Sequence, residues 1–478
     1  MNHVIKKQSN LKAIVLVLLI SIVFINYANA AELNDSSFGT YLKPFSANSL
    51  WNSKPINPKL LDFEIPTSIY YPAVQQGKYS TGVFLATNSD TEVTVNGYPE
   101  KRGLWDPDSE VFKPNIKILH WPKDVLPSQS GDGHADIIDE GLGIVHSFWQ
   151  LKLIDNKWYA TQYAWSPLGG SGWAEPGHYF QGARAAGVPT SAGIIRQHEF
   201  DDGKPIFEHA LALSLAHNAL ASNPSYVFPA TSADTNAATT NSGQIPEGAL
   251  LMLPSNFNMT QLKNPTIIKI AQTLKTYGAY VVDRNTGTPF VIYVENGSKE
   301  LKLKRSNLLW DGQLANELHI IRSNLRQVVS TDGWVDGNGN SFMPDRNLNL
   351  LSMRGPWTLR QGNKAGEFDT LKQEVVFGKT TQVTVQENYS GRSMQIINWA
   401  KPITGESFKL SAFSKGGATL AFKIVDKTQK KVVFQSKELK NEEFETFTWP
   451  TDNFSITLIV SSGVGDSSSI KAELIKQK

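Results

Sequence analysis

Short apolar runs broken by Gly, Pro, Asn and Asp dominate the hydrophobic pattern of this 478-residue chain. The runs EVTVNGY, IKILHWP, KWYATQYAW and FVIYVENG alternate apolar and polar positions over much of their length. Alternation of this kind is the period of a strand with one buried face, and regular turn residues between such runs are typical of antiparallel sheets. The pattern therefore predicts a mainly β chain, with a large antiparallel β domain of sandwich or jelly-roll type and a few helices.

Two segments follow the helical period instead. Asn264 can cap a helix in which Pro265 takes the first position and Gly278 follows the end. The second helix is predicted from about Gln313 to Val328. Apolar stripes at helical spacing support both helices: Ile267, Ile270, Ala271, Leu274 and Tyr277 in the first, and Leu314, Leu318, Ile321 and Leu325 in the second.

The hydrophobic pattern changes from about Gly366 onwards, where some eight strand-like runs follow one another without a helical segment. This pattern predicts a separate C-terminal β-sandwich, in which Trp399, Trp449 or Tyr389 either stack on sugars or form the core. We therefore divide the chain into a signal peptide at 1–30, a β-rich candidate catalytic domain at 31–360, a linker at 361–372 and the sandwich at 373–478.

The N-terminus has the composition of a secretory signal peptide. Three lysines precede the apolar run AIVLVLLISIVFI, and the small-x-small tripeptide before Ala31 predicts cleavage after Ala30. The run is too short for a membrane anchor, so we expect a secreted or periplasmic protein. Cleavage would change the formal charge from +2 to −1, which gives no reason to expect a nucleic-acid partner. The absence of cysteine excludes disulfides, thiolate zinc sites and cysteine nucleophiles.

Titratable residues are concentrated in four segments between Asp132 and His209: GDGHADIID, AEPGHYFQGARAAGVP, AGIIRQHEFDDG and IFEHALAL. In the first, Asp132, His134 and Asp136 stand two residues apart, so a strand would place all three on one face. His134 beside Asp132 has the composition of a general base tuned by a carboxylate, although a structural histidine hydrogen-bonded to a turn aspartate has the same pattern.

The other segments add a cation, an acid and further histidines. Arg196 and Glu199 can face one cleft or form an ordinary ion pair, and His209 lies among apolar residues that predict a buried strand. His178 and Tyr179 follow LGGSGWAEPG, which has the composition of a flexible loop and can contact substrate or form an exposed turn. A metal site from Asp132, His134, Asp136 and His209 is a weaker hypothesis, and no cofactor motif is present.

At these positions the chain resembles a group of secreted bacterial proteins of uncertain activity that share SPWN, DGH, AAGLP, GLVR..E and HAL patterns. The matching stretches are PFSANSLWNSKP, DGHADIID, ARAAGVPTSAGIIRQHEF and a His-Ala-Leu step, over about Phe45 to Val328. The secretion and β architecture of that group imply action on polysaccharides. Asp136 departs from the shared pattern; the positions that match are Trp51, Asn52, Asp132, Gly133, His134, Gly187, Pro189, Arg196, Glu199 and His209.

The sequence favours hydrolysis of an extracellular polysaccharide, and two alternative functions remain open. A glycoside hydrolase would use Asp132 and Glu199 as its carboxylate pair, with His134, Arg196 and His209 in support. A polysaccharide lyase would use Arg196 to neutralise a uronate, His134 or His209 as base, and Tyr179 or Tyr163 as proton donor. A glycan-binding surface protein would need no catalysis. Seven of the twelve tryptophans lie from Trp51 to Trp173, so the expected substrate contacts are Trp51, Asn52, Trp173, His178 and Tyr179.

Overall fold

The computed structural model describes residues 37–129, 131–298, 312–358, 364–387, 394–395 and 397–477. The predicted signal peptide and Tyr389 lie outside these ranges. The prediction of a mainly β chain with a few helices and a C-terminal β-sandwich is confirmed. Within the described ranges, no helix has the length and apolar character needed to cross a bilayer.

The N-terminal part of the described chain contains four sheets. Its strands are β1 Lys54–Ile56, β2 Lys59–Leu60, β3 Ala73–Gln75, β4 Thr81–Ala86, β5 Thr91–Gly97, β6 Leu104–Asp106, β7 Val111–Lys113, β8 Asn115–Trp121, β9 His134–Asp139, β10 Ile144–Trp149, β11 Lys152–Ile154, β12 Lys157–Ala160, β13 Gln162–Pro167, β14 Leu211–Ala216, β15 Leu250–Met252, β16 Ala279–Asn285, β17 Phe290–Tyr293, β18 Arg326–Ser330, β19 Gly333–Val335 and β20 Ser341–Phe342.

Three of these sheets stack in layers. A seven-stranded sheet, in the order β2-β18-β15-β16-β14-β17-β3, packs one face on a six-stranded sheet in the order β4-β9-β10-β13-β6-β7. The other face of the six-stranded sheet packs on the four-stranded sheet β11-β12-β5-β8. The fourth sheet of this domain is the three-stranded sheet β1-β19-β20. The sheets are mixed rather than purely antiparallel as predicted, since β4 runs parallel to β9 and β14 parallel to β16.

The described residues form three α-helices, of which the second and the third cover the outer face of the seven-stranded sheet. They are α1 Ala237–Thr240, α2 Pro265–Thr276 and α3 Gly312–Asn324, with short 3-10 turns at Pro99–Lys101, Gln197–Glu199, Met259–Gln261 and Asn398–Ala400. The α2 prediction is confirmed, because the Asn264 side chain accepts from the Thr266 and Ile267 amides. The prediction for α3 was too long: the chain leaves the helix after Asn324 and enters β18, where pairing with β15 and β2 replaces helical hydrogen bonds.

The C-terminal domain is a sandwich of a six-stranded and a four-stranded sheet around one apolar core. Residues 364–369 of the predicted linker form a strand paired inside this domain, so that linker boundary was wrong. Trp449 is fully buried in the core, where its ring cannot contact a ligand. The strands are β21 Pro356–Thr358, β22 Lys364–Asp369, β23 Glu374–Phe377, β24 Val385–Glu387, β25 Ser407–Lys415, β26 Thr419–Asp426, β27 Lys431–Gln435, β28 Phe444–Thr448, β29 Phe454–Ser461 and β30 Ser468–Lys476.

Candidate functional site

The principal cleft lies in the N-terminal domain and has a volume of about 690 Å³. This volume is within the range of ordinary ligand-binding sites, roughly 300–1,000 Å³. Three of the predicted catalytic residues line it: Arg196, Glu199 and His209. The other lining residues are Phe38, Leu42, Lys43, Pro44, Phe45, Trp51, Asn52, Lys54, Ser191, Gly193, Ile194, His198, Asp202, Lys204, Glu208, Tyr277, Gly337 and Asn338.

Backbone pairing brings His209 to the floor of the cleft. The Ala210 amide donates to the Trp51 carbonyl at 2.7 Å, and the Ala212 amide donates to the Gly193 carbonyl at 2.6 Å. Gly193 has a φ of +67°, and a Cβ there would lie 2.4 Å from the Trp51 ring. A residue with a side chain would therefore disturb both the backbone and the packing at this position.

A short 3-10 turn places Glu199 against His209. The Glu199 carboxylate folds back to accept from the Arg196 amide at 2.7 Å, which closes the turn. From α2, the Lys269 ammonium donates to the Glu199 carbonyl at 2.6 Å and holds the turn from behind. His209 Nε2 then lies 3.0 Å from Glu199 Oε1, within ion-pair distance.

The pKa values of this pair shift in the direction that keeps both groups charged. Burial alone would raise the pKa of Glu199, but the charge and hydrogen bond of His209, with the Arg196 amide, lower it to about 2. Burial alone would lower the pKa of His209, and the Glu199 carboxylate raises it instead. Glu199 is therefore an ionised hydrogen-bond acceptor at neutral pH and cannot serve there as a general acid.

His209 has no free ring nitrogen for acid–base chemistry. Its Nε2 faces Glu199, and its Nδ1 lies 2.9 Å from the Ala210 carbonyl oxygen. A protonated imidazole donates through both nitrogens, and two acceptors occupy both donors here. His209 thus acts in this geometry as a fixed cation that orients Glu199.

Arg196 is also occupied by protein groups. Its Nε donates to Glu295 at 3.0 Å, one terminal nitrogen donates to the Tyr41 carbonyl at 3.0 Å, and the guanidinium lies over the Tyr41 ring. Glu295 also accepts from the Gln197 amide. To neutralise a uronate, as predicted, Arg196 would have to give up its ion pair with Glu295.

Asp132 and His134 lie outside the cleft, so the predicted carboxylate pair Asp132 and Glu199 does not face one ligand. Asp132 accepts from Trp149 Nε1 at 3.2 Å, and its distance of 3.8 Å to His134 Nε2 is too long for a hydrogen bond. Burial, followed by the Arg184 charge, holds the pKa of His134 well below its usual range. His134 is therefore a neutral interior histidine.

Arg184 and Asp283 are the central ion pair of the region around His134. They lie 2.9 Å apart, the Ala185 amide donates to the other carboxylate oxygen, and the Tyr293 hydroxyl donates to Asp283 at 3.2 Å. We call the set formed by Asp132, His134, Arg184, Asp283 and Tyr293 the interior cluster. Burial raises the pKa of Asp283 to about 6 despite the Arg184 charge.

The predicted sugar contacts Trp51 and Trp173 are core residues. Their rings stack on each other at 4.9 Å and 2°, and both are almost fully buried, so neither face is free for a sugar. Asn52 lines the cleft, but its amide donates to the carbonyls of Pro44 and Ser46 and thereby fixes the loop on the cleft wall.

His178 and Tyr179 lie at the contact between the two domains. His178 stacks on Trp165 at 4.0 Å and lies 3.4 Å from Asp108, while the Tyr179 hydroxyl donates to the Thr231 carbonyl at 3.3 Å. The Arg354 guanidinium covers the Tyr179 ring. The glycine-rich loop before them therefore ends in a packed interface rather than over the cleft.

Sequence reasoning missed several residues of the cleft. Lys43, Lys54, His198 and Tyr277 line it, and His198 is exposed with no hydrogen bond to any described residue. Burial, partly offset by the Glu199 charge, lowers the pKa of His198. Gly278, next to Tyr277, indicated only the end of a helix. Lys43 directly precedes the matched stretch PFSANSLWNSKP and Lys54 lies within it, so this motif was the available clue.

Comparisons with known proteins do not show which family this chain belongs to. No protein-family model matches it, and no curated protein matches it. The Glycosylation Associate Protein (Gap123) complex from Streptococcus agalactiae is similar at 14% identity and a TM-score of 0.20, over 27% of this chain and 45% of that chain. TmCBM61 in complex with beta-1,4-galactotriose is similar at 16% identity and a TM-score of 0.15, over 22% of this chain and 70% of that chain.

A mutant of CBM29-2, from family 29 of the carbohydrate-binding modules, is similar at 10% identity and a TM-score of 0.16, over 28% of this chain and 92% of that chain. Likenesses this distant contribute nothing to the assignment of the site.

Proposed function

We propose that this protein is exported and binds an extracellular polysaccharide in the cleft lined by Glu199 and His209. One observation supports binding most strongly: Glu199 is ionised, fixed by His209 and still partly open to the cleft, with its side chain 12% exposed. A fixed carboxylate is a strong acceptor for sugar hydroxyl groups, because hydrogen bonds to charged groups are shorter and stronger than neutral ones. The cleft volume is that of a site for several sugar units or a drug-sized ligand.

Hydrolysis by the predicted pair receives no support from the geometry. Glycoside hydrolysis needs two carboxyl groups about 5–9.5 Å apart across one bond, one of them protonated. Asp132 does not line the cleft, and the pKa of Glu199, lowered by His209 to about 2, removes its proton at neutral pH. Binding without hydrolysis is thus the simpler function for these groups.

The binding test compares two glutamates that both take part in ion pairs. Glu199→Gln removes the cleft carboxylate, and Glu92→Gln removes a carboxylate of the exposed Lys117–Glu92 pair on the outer sheet. On a panel of bacterial and algal polysaccharides, we expect wild-type protein to bind at least one glycan and Glu199→Gln to bind it about tenfold more weakly. Glu92→Gln should bind as wild type does. Affinity electrophoresis and calorimetry measure the difference.

The same panel is assayed for released reducing ends and for the near-ultraviolet absorbance of unsaturated sugars. Binding without either signal supports the proposal. Binding to no glycan overturns it, and reducing ends from a bound glycan would show hydrolysis in place of simple binding.

A second candidate function, β-elimination on a uronate, is favoured by His198. Its ring is partly exposed and has no hydrogen bond to a described residue, and the partial burial lowers its pKa, so it is a neutral base that lines the cleft. Tyr163 and Tyr179, the predicted proton donors, do not line the cleft, whereas Tyr277 does. An absorbing product that His198→Gln abolishes while binding persists would establish this activity.

A further inference from the structure

The charges that line the cleft are unevenly paired. Each lining carboxylate has a cationic partner: Glu199 with His209, Asp202 with Lys269 at 2.6 Å, and Glu208 with Lys204 at 2.5 Å. Arg196 is neutralised by Glu295. Lys43 lies 3.9 Å from Glu208, which already has a closer partner.

Lys54 has no carboxylate partner among the described residues. Its ammonium lies 5.2 Å from the centre of the Tyr277 ring, on the cleft wall. Asp336, next to the lining residues Gly337 and Asn338, uses its carboxylate for the amides of its own turn. Among the described residues, the lining residues and their ion-pair partners therefore comprise six cations, counting protonated His209, against four anions.

Lys54, which has no carboxylate partner among the described residues, and Lys43, which shares Glu208 with Lys204, together favour an anion in the cleft. Lys54 is half-buried beside an aromatic ring, where water screens its charge less than on an open surface. A neutral glycan would leave this ammonium without an anionic partner, whereas a carboxylate or sulfate group on a sugar would pair with it. Glu199, which lines the same cleft, offers an acceptor for hydroxyl groups of the same polysaccharide.

We propose that the ligand of the cleft is an anionic polysaccharide, with Lys54, supported by Lys43, binding a carboxylate or sulfate group of one sugar unit. This inference rests on the proposed glycan-binding function and specifies its ligand class. Lys54 and Lys43 discriminate by charge, while Glu199 and His209 contribute to binding of either charged or neutral sugars.

The test uses polymers matched in backbone and different in charge, with the full-length exported protein. The first pair is polygalacturonate and its methyl ester; the second is dextran sulfate and dextran. We expect tighter binding to the acidic member of at least one pair, weakening as salt is added. Lys54→Gln should reduce affinity for the acidic polymer about tenfold and for the neutral polymer less than about twofold.

Lys59→Gln is the matched control, because Lys59 is an exposed lysine nearby in the chain that does not line the cleft. Lys59→Gln should leave the affinity for the acidic polymer and the affinity for the neutral polymer unchanged. Equal affinity for both members of each pair, or equal loss on all polymers in Lys54→Gln, would overturn the charge preference. Binding of a neutral glycan alone would also overturn it and leave the proposed function standing, whereas binding of no glycan defeats the proposed function itself.

Discussion

The cleft and the interior cluster contain the same kinds of side chain, and their environments shift the pKa values of those side chains in opposite directions. In the cleft, contact with Glu199 raises the pKa of His209. In the interior cluster, His134 has no carboxylate within hydrogen-bond distance, and burial beside the Arg184 charge lowers its pKa. The nearest carboxylate, more than the burial that both histidines share, decides which of them is charged.

The carboxylates differ as well, although each accepts from a cation and a backbone amide. The pKa of Glu199 is about 2, whereas burial, together with the charges of Asp234 and Asp132, raises the pKa of Asp283 to about 6 although Arg184 lies 2.9 Å away. Proximity in sequence to other titratable residues therefore did not indicate which group would face a ligand. The Glu199–His209 pair lines the cleft, whereas Arg184 joins Asp283 in β16 to the Tyr79 carbonyl just before β4.

Arg184→Met should produce the largest loss of stability. It removes the cation from a pair whose arginine side chain is only 2% exposed and leaves Asp283 without its ionic partner. Removing one member of a buried pair costs about 3–5 kcal/mol. Urea unfolding at neutral pH measures the change.

Lys117→Met provides the contrast, because the Lys117–Glu92 pair is exposed and such pairs contribute about 0–1 kcal/mol. If both substitutions cost the same small amount, the interior cluster does not depend on its ion pair, and the proposed difference between the two regions fails.

The two histidines should give stability opposite pH dependences, because folding raises the pKa of His209 and lowers the pKa of His134. The raised pKa of His209 contributes stability below its unfolded pKa of about 6.5, and that stability is lost as pH rises through the folded value. The lowered pKa of His134 contributes stability above about 6.5, and that stability is lost as pH falls.

His209→Gln and His134→Gln measure these contributions separately. Between about pH 5 and pH 8.5, the stability advantage of wild type over His209→Gln should shrink, and its advantage over His134→Gln should grow. Parallel slopes for the two variants would show that contact with Glu199 does not govern the charge of His209.

The sequence predicted the strands better than it predicted the site. Alternation and turn residues located most sheets, and the Asn264 cap fixed the start of α2. The hydrophobic pattern does not indicate which distant strands pair with each other. Asp132 and Glu199 were therefore assigned to one cleft, although the fold places Glu199 on the cleft wall and Asp132, just before β9, outside it. Trp51 and Trp173 were expected to contact sugar, because composition cannot distinguish a stacked core pair from an exposed aromatic surface.

Removing one hydroxyl from each region should give the smallest effects and the finest comparison. The Tyr293 hydroxyl donates to Asp283, whereas the Tyr277 hydroxyl has no hydrogen bond to a described residue. Tyr293→Phe keeps the ring beneath Arg184 and should cost about 0.5–1.5 kcal/mol, the contribution of one hydrogen bond. Tyr277→Phe keeps the ring beside Lys54 and should change stability by less than about 0.5 kcal/mol. A larger loss for Tyr277→Phe in urea unfolding would mean that the cleft wall, and not the interior cluster, contains the more important hydroxyl.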